Sequence, residues 1–274
     1  MRSRLEIFDV RANSVRTVLE SDRLIEAPNW DPLGGSLLVN VEGGLRRVDL
    51  REPGLELVDS GFADACNNDH GFSPDGGLVA ISHKHQGAST VYVLPATGGT
   101  PRKVTDRNPS YWHGWSPDGA RLAYVGRRGD AFDIYTCAVT GGEETQLTAD
   151  AGHNDGPDYS SDGQYIWFNS DRTGHAQIWR MGEDGAEPRR MVESETVDWF
   201  PHPSPDGAHV LYLAYPPGTK GHPRDRDVAL MLINPEGGDS RELLRFNGGQ
   251  GTINVPCWAP DGSAFAFVRY GRMT

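Results

Sequence analysis

The chain alternates apolar and polar residues over many short runs. Examples are Leu5 to Val10, Arg121 to Val125 and Tyr165 to Phe168. β-branched and aromatic residues are frequent in these runs, and clusters of Gly, Pro and Asp separate them. Alternation with a period of two is typical of strands that bury one face. The pattern therefore predicts an all-β protein.

The same turn recurs six times along the chain. Each copy places an aromatic residue or a proline before a tight turn, most often Ser-Pro-Asp-Gly, in which Pro presets φ and Gly takes a positive φ. The anchors of these turns are residues 30, 72, 115, 159, 203 and 258, at spacings of 42, 43, 44, 44 and 55. A repeat of this length indicates an array of supersecondary units.

Each repeat contains four predicted strands. The anchor belongs to the innermost one, and a second strand, such as Tyr165 to Phe168, follows the turn. A third strand, such as Gln177 to Arg180, and a fourth after a Gly-Gly turn, such as Arg102 to Thr105, complete the set. Four antiparallel strands in about 42 residues match the size of a β-propeller blade.

The two ends of the chain are predicted to share one blade. The sixth repeat stops after its second strand, Phe265 to Arg269, and so lacks two strands. Two further strands, Leu5 to Val10 and Ser14 to Leu19, precede the first anchor. A closed ring leaves no open sheet edge. We therefore predict one domain over residues 1–274, a six-bladed β-propeller whose last blade takes two strands from each terminus.

Composition and charge narrow the classes of function. The chain of 274 residues is 37% hydrophobic and 23% charged, as in ordinary globular proteins. Its 38 acidic and 26 basic residues give a net charge of −12, which repels phosphate backbones, so we expect no nucleic acid partner. No apolar run is long enough to span a membrane. The N-terminal segment lacks the apolar core of a signal peptide, so we expect a cytoplasmic protein whose three cysteines are reduced.

The recurrent aromatic-Ser-Pro-Asp-Gly unit resembles the TolB-like six-bladed propeller repeat. The segment Asn169 to Gly174, followed by Gln177 to Trp179, and the Gly-Gly turn before Arg102 to Thr105 carry the same likeness. Proteins with this repeat include a periplasmic scaffold, propeller domains of prolyl-oligopeptidase-type proteases and oligogalacturonate lyases. The resemblance implies the fold, whereas the absence of a Gly-x-Ser-x-Gly motif argues against the protease.

One face of the predicted propeller collects candidate site residues. The loops that enter the innermost strands and the loops between second and third strands meet at the same mouth of the channel, and we assign eight of the nine histidines to them. Imidazoles from neighbouring blades suit a divalent transition metal such as Mn, Zn or Fe. Oligogalacturonate lyases bind manganese through channel histidines, and the resemblance carries this over to His70, His113 and His153. We predict metal ligands among these three, with His202 or a neighbouring carboxylate as a further one.

Carboxylates at the same mouth supply candidate proton-transfer groups. Asp69 and Asp155 are the predicted catalytic residues, because each precedes or follows a candidate ligand and a carboxylate that binds no metal can act as a base. Calcium is the alternative ion. Glu26, Asn68, Asn154 and Asp155 offer hard oxygen ligands for it, as calcium-bound lactonases of another six-bladed family do.

A structural interpretation stands beside each of these assignments. A histidine in an entering loop can simply hydrogen-bond the backbone of a neighbouring blade. Asp171 and Arg172 are expected to brace blades, and Trp112 and Trp199 either stack on sugar rings or plug the channel. The histidines of the second-to-third loops are expected to be solvated, namely His83, His85, His175 and His222.

Two functions remain open at this point. The first is a metal-dependent lyase or hydrolase that acts on an oligosaccharide or similar polar small molecule, with the segment Lys220 to Asp227 closing over it. The second is a non-catalytic scaffold that binds a protein or peptide partner on the same face.

Overall fold

The computed structural model describes residues 2–149 and 151–271. Over these residues the chain forms 23 antiparallel β-strands in six sheets, arranged as the blades of a propeller. None of the described residues belongs to a helix that is long and apolar enough to cross a membrane. The all-β, six-bladed prediction is confirmed.

Five blades are four-stranded and follow the chain in order. Blade 1 contains β3 (Ile25–Trp30), β4 (Ser36–Val41), β5 (Gly44–Asp49) and β6 (Glu56–Leu57). Blade 2 contains β7 (Cys66–Phe72), β8 (Leu78–His85), β9 (Ala88–Pro95) and β10 (Arg102–Lys103). Blade 3 contains β11 (Ser110–Trp115), β12 (Arg121–Arg128), β13 (Ala131–Ala138) and β14 (Thr145–Gln146). Blade 4 contains β15 (Asn154–Tyr159), β16 (Tyr165–Ser170), β17 (Gln177–Gly182) and β18 (Arg189–Arg190). Blade 5 contains β19 (Val197–Pro203), β20 (Val210–Tyr215), β21 (Arg226–Ile233) and β22 (Arg241–Gly248).

Blade 6 joins the two ends of the chain. Its strands lie in the order β2 (Ser14–Ser21), β1 (Arg2–Asp9) and β23 (Ala264–Gly271), so the N-terminal strands complete a blade begun by the C-terminal part. The rings of Phe8 and Phe265 stack across this junction with centroids 5.1 Å apart. The closure prediction is confirmed, with one difference. The innermost C-terminal strand is reduced to a bridge between Trp258 and Phe265, because Pro256 has no N–H to continue a ladder.

The repeated turn has a recurring hydrogen-bond pattern. In blade 2 the Ser73 hydroxyl donates to Asp75 at 2.6 Å and accepts from the backbone N–H of Leu78 at 2.9 Å. Gly76 closes the turn with a φ of 70°, which a residue with a Cβ resists. The Asp75 carboxylate also accepts the N–H of Gly77, and these bonds lower its pKa. The Ser-Pro-Asp-Gly repeat therefore encodes a hairpin between the first two strands of a blade.

Innermost strands carry a β-bulge on the way to the channel mouth. The register shifts between Glu26 and Asn29 in β3 and between Asp155 and Asp158 in β15, and β7, β11 and β19 shift likewise. Phe200, in the bulge of β19, takes a φ of 57°, which is strained for a bulky residue. A bulge re-aims the side chains next to it. Polar side chains of these strands are thereby turned toward one mouth.

The closure can be tested at Phe8, which is 1% exposed. Replacing it with alanine removes the stacked ring from the junction of the two termini, and we expect the free energy of unfolding to fall by about 3 to 5 kcal/mol. The matched control is Val15→Ala on the neighbouring strand β2, where the side chain is 37% exposed and the cost should stay below about 1 kcal/mol. Urea denaturation measures both. Equal, small losses would contradict a closing role for blade 6.

Candidate functional site

A cavity of about 300 Å³ lies at the mouth where the bulged strands converge. Every blade except the first contributes to its lining, and the lining combines titratable, amide and aromatic side chains. These are Asn67, Asn68, Asp69, Tyr111, His113, Phe132, His153, Asp155, Phe200, His222, Arg224, Gln250 and Asn254. Polar groups that converge in one enclosed space are the usual mark of a ligand site.

Asp155 is the most strongly bound carboxylate of the cavity. Its Oδ1 accepts from His113 Nε2 at 3.2 Å and from the N–H of Gly156 at 2.7 Å, and its Oδ2 accepts from His153 Nε2 at 3.2 Å. Burial alone would raise the pKa of Asp155, but the two histidines outweigh burial and hold that pKa far below its ordinary range. Asp155 therefore stays ionised and fixes both imidazole rings.

The pKa of Asp69 is shifted in the opposite direction from that of Asp155. Its side chain accepts a hydrogen bond from the Asn67 amide at 2.6 Å, and among residues 2–149 and 151–271 no cation forms an ion pair with it. Burial raises its pKa to about 6, with His113 opposing and Asp155 adding to the rise. The cavity thus holds two carboxylates whose environments push their pKa values apart, which is a frequent feature of acid–base sites.

His153 connects the cavity to the outside. Its ring stacks on Phe132 with centroids 4.4 Å apart, and its Nε2 is held by Asp155, which leaves Nδ1 as the end available to a ligand. Burial lowers the pKa of His153, but the hydrogen bond to Asp155 and the surrounding carboxylates more than compensate and raise it. The charged form of the ring, which can donate a proton, is therefore stabilised.

The segment between β20 and β21 crosses the rim of the cavity. His222 and Arg224 from this segment line the cavity, as the position of the long loop predicts. Arg224 forms an ion pair with Glu26 of blade 1, so this segment of blade 5 is attached to a blade that is not its neighbour in the propeller. Burial raises the pKa of Glu26 even though Arg224 opposes the rise. The loop therefore lies over the site and is held there by a half-buried ion pair.

The comparisons with known proteins agree with this architecture. A family model described as the TolB beta propeller domain matches residues 108–269. An uncharacterised protein of Agrobacterium fabrum (strain C58) is 53% identical over 272 residues, covering 98% of this chain and 93% of that protein. A solved structure from Agrobacterium tumefaciens, provisionally assigned to TolB, matches with a TM-score of 0.98 at 52% identity and covers 100% of this chain and 99% of that one.

The chain belongs to the TolB β-propeller family. The resemblance of its repeat to TolB is therefore confirmed. An oligogalacturonate lyase in complex with manganese shares the fold at a TM-score of 0.60 and 16% identity, over 96% of this chain and 77% of the lyase chain. That likeness concerns the fold alone.

In this TolB-like propeller the four predicted histidine ligands do not converge. His113 and His153 meet at Asp155, but His70 is fully buried with its Nε2 3.4 Å from the Leu38 carbonyl oxygen. His202 pairs through Nδ1 with Asp158 at 3.0 Å and through Nε2 with the Ile253 carbonyl at 2.7 Å. Both rings brace neighbouring blades, as the structural interpretation of the entering-loop histidines anticipates.

The remaining donors do not assemble a metal site either. Among residues 2–149 and 151–271, no group of three or more His, Cys, Asp or Glu side chains is arranged to hold a metal ion. Members of the oxygen set considered for calcium are engaged by other partners as well, because Glu26 pairs with Arg224 while Asn154 binds Asp133 and Arg172. The donors in place thus do not fit a resident ion, and metal binding stays a prediction from the sequence.

Burial decides the placement of two residues. Trp112 is fully buried and packs against Gly71, which agrees with the alternative that it plugs the channel and not with stacking on a ligand at this mouth. His222, expected to be solvated, lies against Trp199 with centroids 4.5 Å apart and lines the cavity. Its Nδ1 is buried without a partner among the described residues.

One more predicted residue and two that were not predicted bear on the site. Arg172 donates to Asn154 and Ser170, both in blade 4, so it braces its own blade and not, as expected, a neighbouring one. Phe132 and Arg224 were not predicted as site residues. The register between β12 and β13 brings Phe132 to the cavity. Arg224 is held at the cavity by its ion pair with Glu26, which is distant in sequence. Neither position has a local sequence signal.

The opposite end of the channel is chemically different. A cavity of about 390 Å³ there is lined mainly by prolines and aromatic residues of the repeated turns, such as Pro117, Trp115 and Trp258. Its buried carboxylate, Asp158, is already bound by His202. Although this cavity is larger, the carboxylates and histidines described above, Asp69, His113, His153 and Asp155, line the cavity at the other mouth.

The raised pKa of Asp69 predicts a pH-dependent stability. A carboxyl group whose pKa is higher in the folded state stabilises the fold at low pH, and that contribution is lost as pH rises through about 6. We expect the free energy of unfolding of Asp69→Asn, relative to the parent, to increase by about 3 kcal/mol between pH 4 and pH 7. Asp75→Asn is the control, because the lowered pKa of this turn residue gives the opposite sign. A difference for Asp69→Asn that does not vary with pH would contradict the assignment.

Elemental analysis of protein purified without a histidine tag checks the metal prediction. Because the described donors do not form a metal site, we expect well under one transition-metal ion per chain. One ion per chain that disappears in His113→Ala and His153→Ala, but remains in the His85→Ala control, would instead establish the sequence-based prediction. In that case both rings would have to turn from Asp155 toward the ion.

Proposed function

We propose that this propeller binds a small polar molecule, such as a carbohydrate, at the mouth of its channel and cleaves it by general acid–base catalysis. The observation that supports this most is the pair Asp69 and Asp155, two buried carboxylates with opposite pKa shifts in one cavity. Cleavage by elimination and cleavage by hydrolysis both need a base and an acid on either side of the bond, and here Asp69 is the base while Asp155 holds the acid, His153.

Asp69 is the proposed base. An unshifted aspartate is too weak a base at neutral pH, whereas a pKa of about 6 brings its basicity near the working pH while the group remains mostly ionised. It accepts one proton, either from a carbon next to the breaking bond or from an attacking water molecule. The Asn67 amide holds one of its oxygens and so orients the carboxylate.

His153 is the proposed acid. The bond to the leaving oxygen breaks with its electron pair going to that oxygen, which then receives the proton of the His153 ring. Asp155 is a positioning residue in this scheme, because it fixes the ring through Nε2 and stabilises its charged form. One proton is taken up and one is given, so the cycle needs no reactant other than water.

The surroundings suit a polar ligand of modest size. Amides from Asn67, Asn68, Gln250 and Asn254 offer donors and acceptors around the cavity, and Tyr111 adds an aromatic edge. Such a lining matches hydroxyl-rich molecules, whose many small dipoles need many partners. The segment held over the site would exclude water during the reaction.

The acid–base pair predicts a bell-shaped pH profile. We expect kcat/KM to rise through pH about 6 as Asp69 ionises, and to fall at higher pH as His153 loses its proton. Asp69→Asn and His153→Ala should each lower kcat by about 100-fold or more, while the exposed loop variant His85→Ala should match the parent. The substrates to screen are uronate oligosaccharides, glycosides, lactones and phosphate esters.

A cleaved substrate whose turnover is unaffected by Asp69→Asn would contradict the assigned base. Inactivity on the whole panel, combined with capture of a protein partner that the Asp69 and His153 substitutions abolish, would favour the scaffold function instead.

A further inference from the structure

A second cavity adjoins the first at His153. It has a volume of about 290 Å³, and its lining includes Trp199, His175, Thr219 and Lys220 as well as His153. His153 lines both spaces, so the proposed acid stands at their junction. The long segment passes over both cavities, because Thr219 to Gly221 line the second one and His222 and Arg224 line the first.

The second cavity has a polar group without a partner. Trp199 is 4% exposed, and its indole Nε1–H is buried with no hydrogen-bond acceptor among the described residues. A buried donor left unpaired costs free energy that a ligand acceptor would recover. The ring itself is fixed, since it lies edge-on to His153 at 5.9 Å and against His222 at 4.5 Å.

The charges of the second cavity differ from those of the first. Asp171 is engaged, because it accepts the backbone N–H of His153 at 2.7 Å, and His175 is held by the Ser194 carbonyl at 2.9 Å. Lys220 is the cationic side chain of the lining, and the Asp171 carboxylate is its anionic one. The second cavity therefore offers an ammonium group, an indole donor and a flat ring, which suit an oxygen-rich unit.

We propose that the ligand consists of two units joined at the bond that His153 protonates, one unit in each cavity. The retained unit lies beside Asp69 in the inner cavity, and the leaving unit lies beside Trp199 and Lys220 in the second cavity. This inference rests on the proposed function and adds to it that the substrate is at least a dimer. The leaving oxygen belongs to the unit in the second cavity, where the proton from His153 completes its hydroxyl group.

Matched one-unit and two-unit sugars test this directly. Glucose is compared with cellobiose, and galacturonate with digalacturonate, by calorimetry on the full chain at neutral pH. We expect at least one two-unit sugar to bind 10-fold or more tightly than its one-unit partner. Trp199→Phe, which removes the indole donor and keeps a ring, and Lys220→Met should each reduce that ratio at least fivefold without weakening the one-unit sugar.

A spectroscopic readout separates contact from a merely structural effect. The indole N–H resonance of Trp199, assigned by its absence in Trp199→Phe, should shift with the two-unit sugar and stay in place with the one-unit sugar. If Trp199→Phe fails to fold, Lys220→Met still tests the ratio, because its side chain lies at the surface of the loop. The variant His85→Ala should leave every affinity unchanged.

The outcomes distinguish this inference from the function on which it rests. Equal binding of one-unit and two-unit sugars would overturn the two-cavity ligand and leave the acid–base site standing. Tight two-unit binding without any cleavage would support the two-cavity ligand and overturn the catalytic function. No binding of any of the four sugars would count against both.

Discussion

Closure of the ring is the constraint on which this structure depends. A blade buries its faces only against two neighbours, and a gap anywhere would expose sheet edges and apolar faces. The chain meets the constraint by pairing β1 with β23 along eight residue pairs, from Arg2 with Gly271 to Asp9 with Ala264. Arg269 adds an ion pair to the buried Glu6 at 2.8 Å. The position of every inner strand, and therefore of every site residue, follows from this closed geometry.

Closure also explains why buried polar groups are numerous around the channel. Inner strands approach one another there, and their bulges leave backbone groups that need partners from other blades. His202 and Asn29 supply such partners, since Asn29 donates to the Pro256 carbonyl and accepts the N–H of Phe72. At the mouth that contains Asp155, the same close approach of the strands brings carboxylates and imidazoles within hydrogen-bond distance. The arrangement that holds the ring together and the one proposed for catalysis therefore use the same bulged strands.

Much of the fold could be predicted because its signals are local. The Ser-Pro-Asp-Gly turn forms its own hydrogen bonds, so its three copies and three close variants, five of the six turns at spacings of 42 to 44, define the six blades. The candidate site was harder. Asp69, His113, His153 and Asp155 lie at the mouth that their place in the repeat predicts, but His70, at the same repeat position as His113, is buried against the Leu38 carbonyl of blade 1.

Side-chain contacts between different blades had no signal in the sequence. His202 lies on an innermost strand, as His113 does. Both of its ring nitrogens are nevertheless hydrogen-bonded, one to Asp158 and one to a backbone carbonyl, and these partners belong to two other blades. Arg224 reaches Glu26, almost two hundred residues away along the chain. Neither contact depends on neighbours in sequence, so residue type and spacing could not distinguish a brace from a ligand-facing group.

The shared blade also has a consequence for how the chain acquires its structure during synthesis. Strands β1 and β2 leave the ribosome first, yet their partner β23 is made last, so they must remain unpaired on one side while five blades form. For most of that time the nascent protein is an open arc with an exposed edge at each end. The final step is therefore the joining of two distant segments, and the edge of β1 is the surface that a chaperone would have to cover until then.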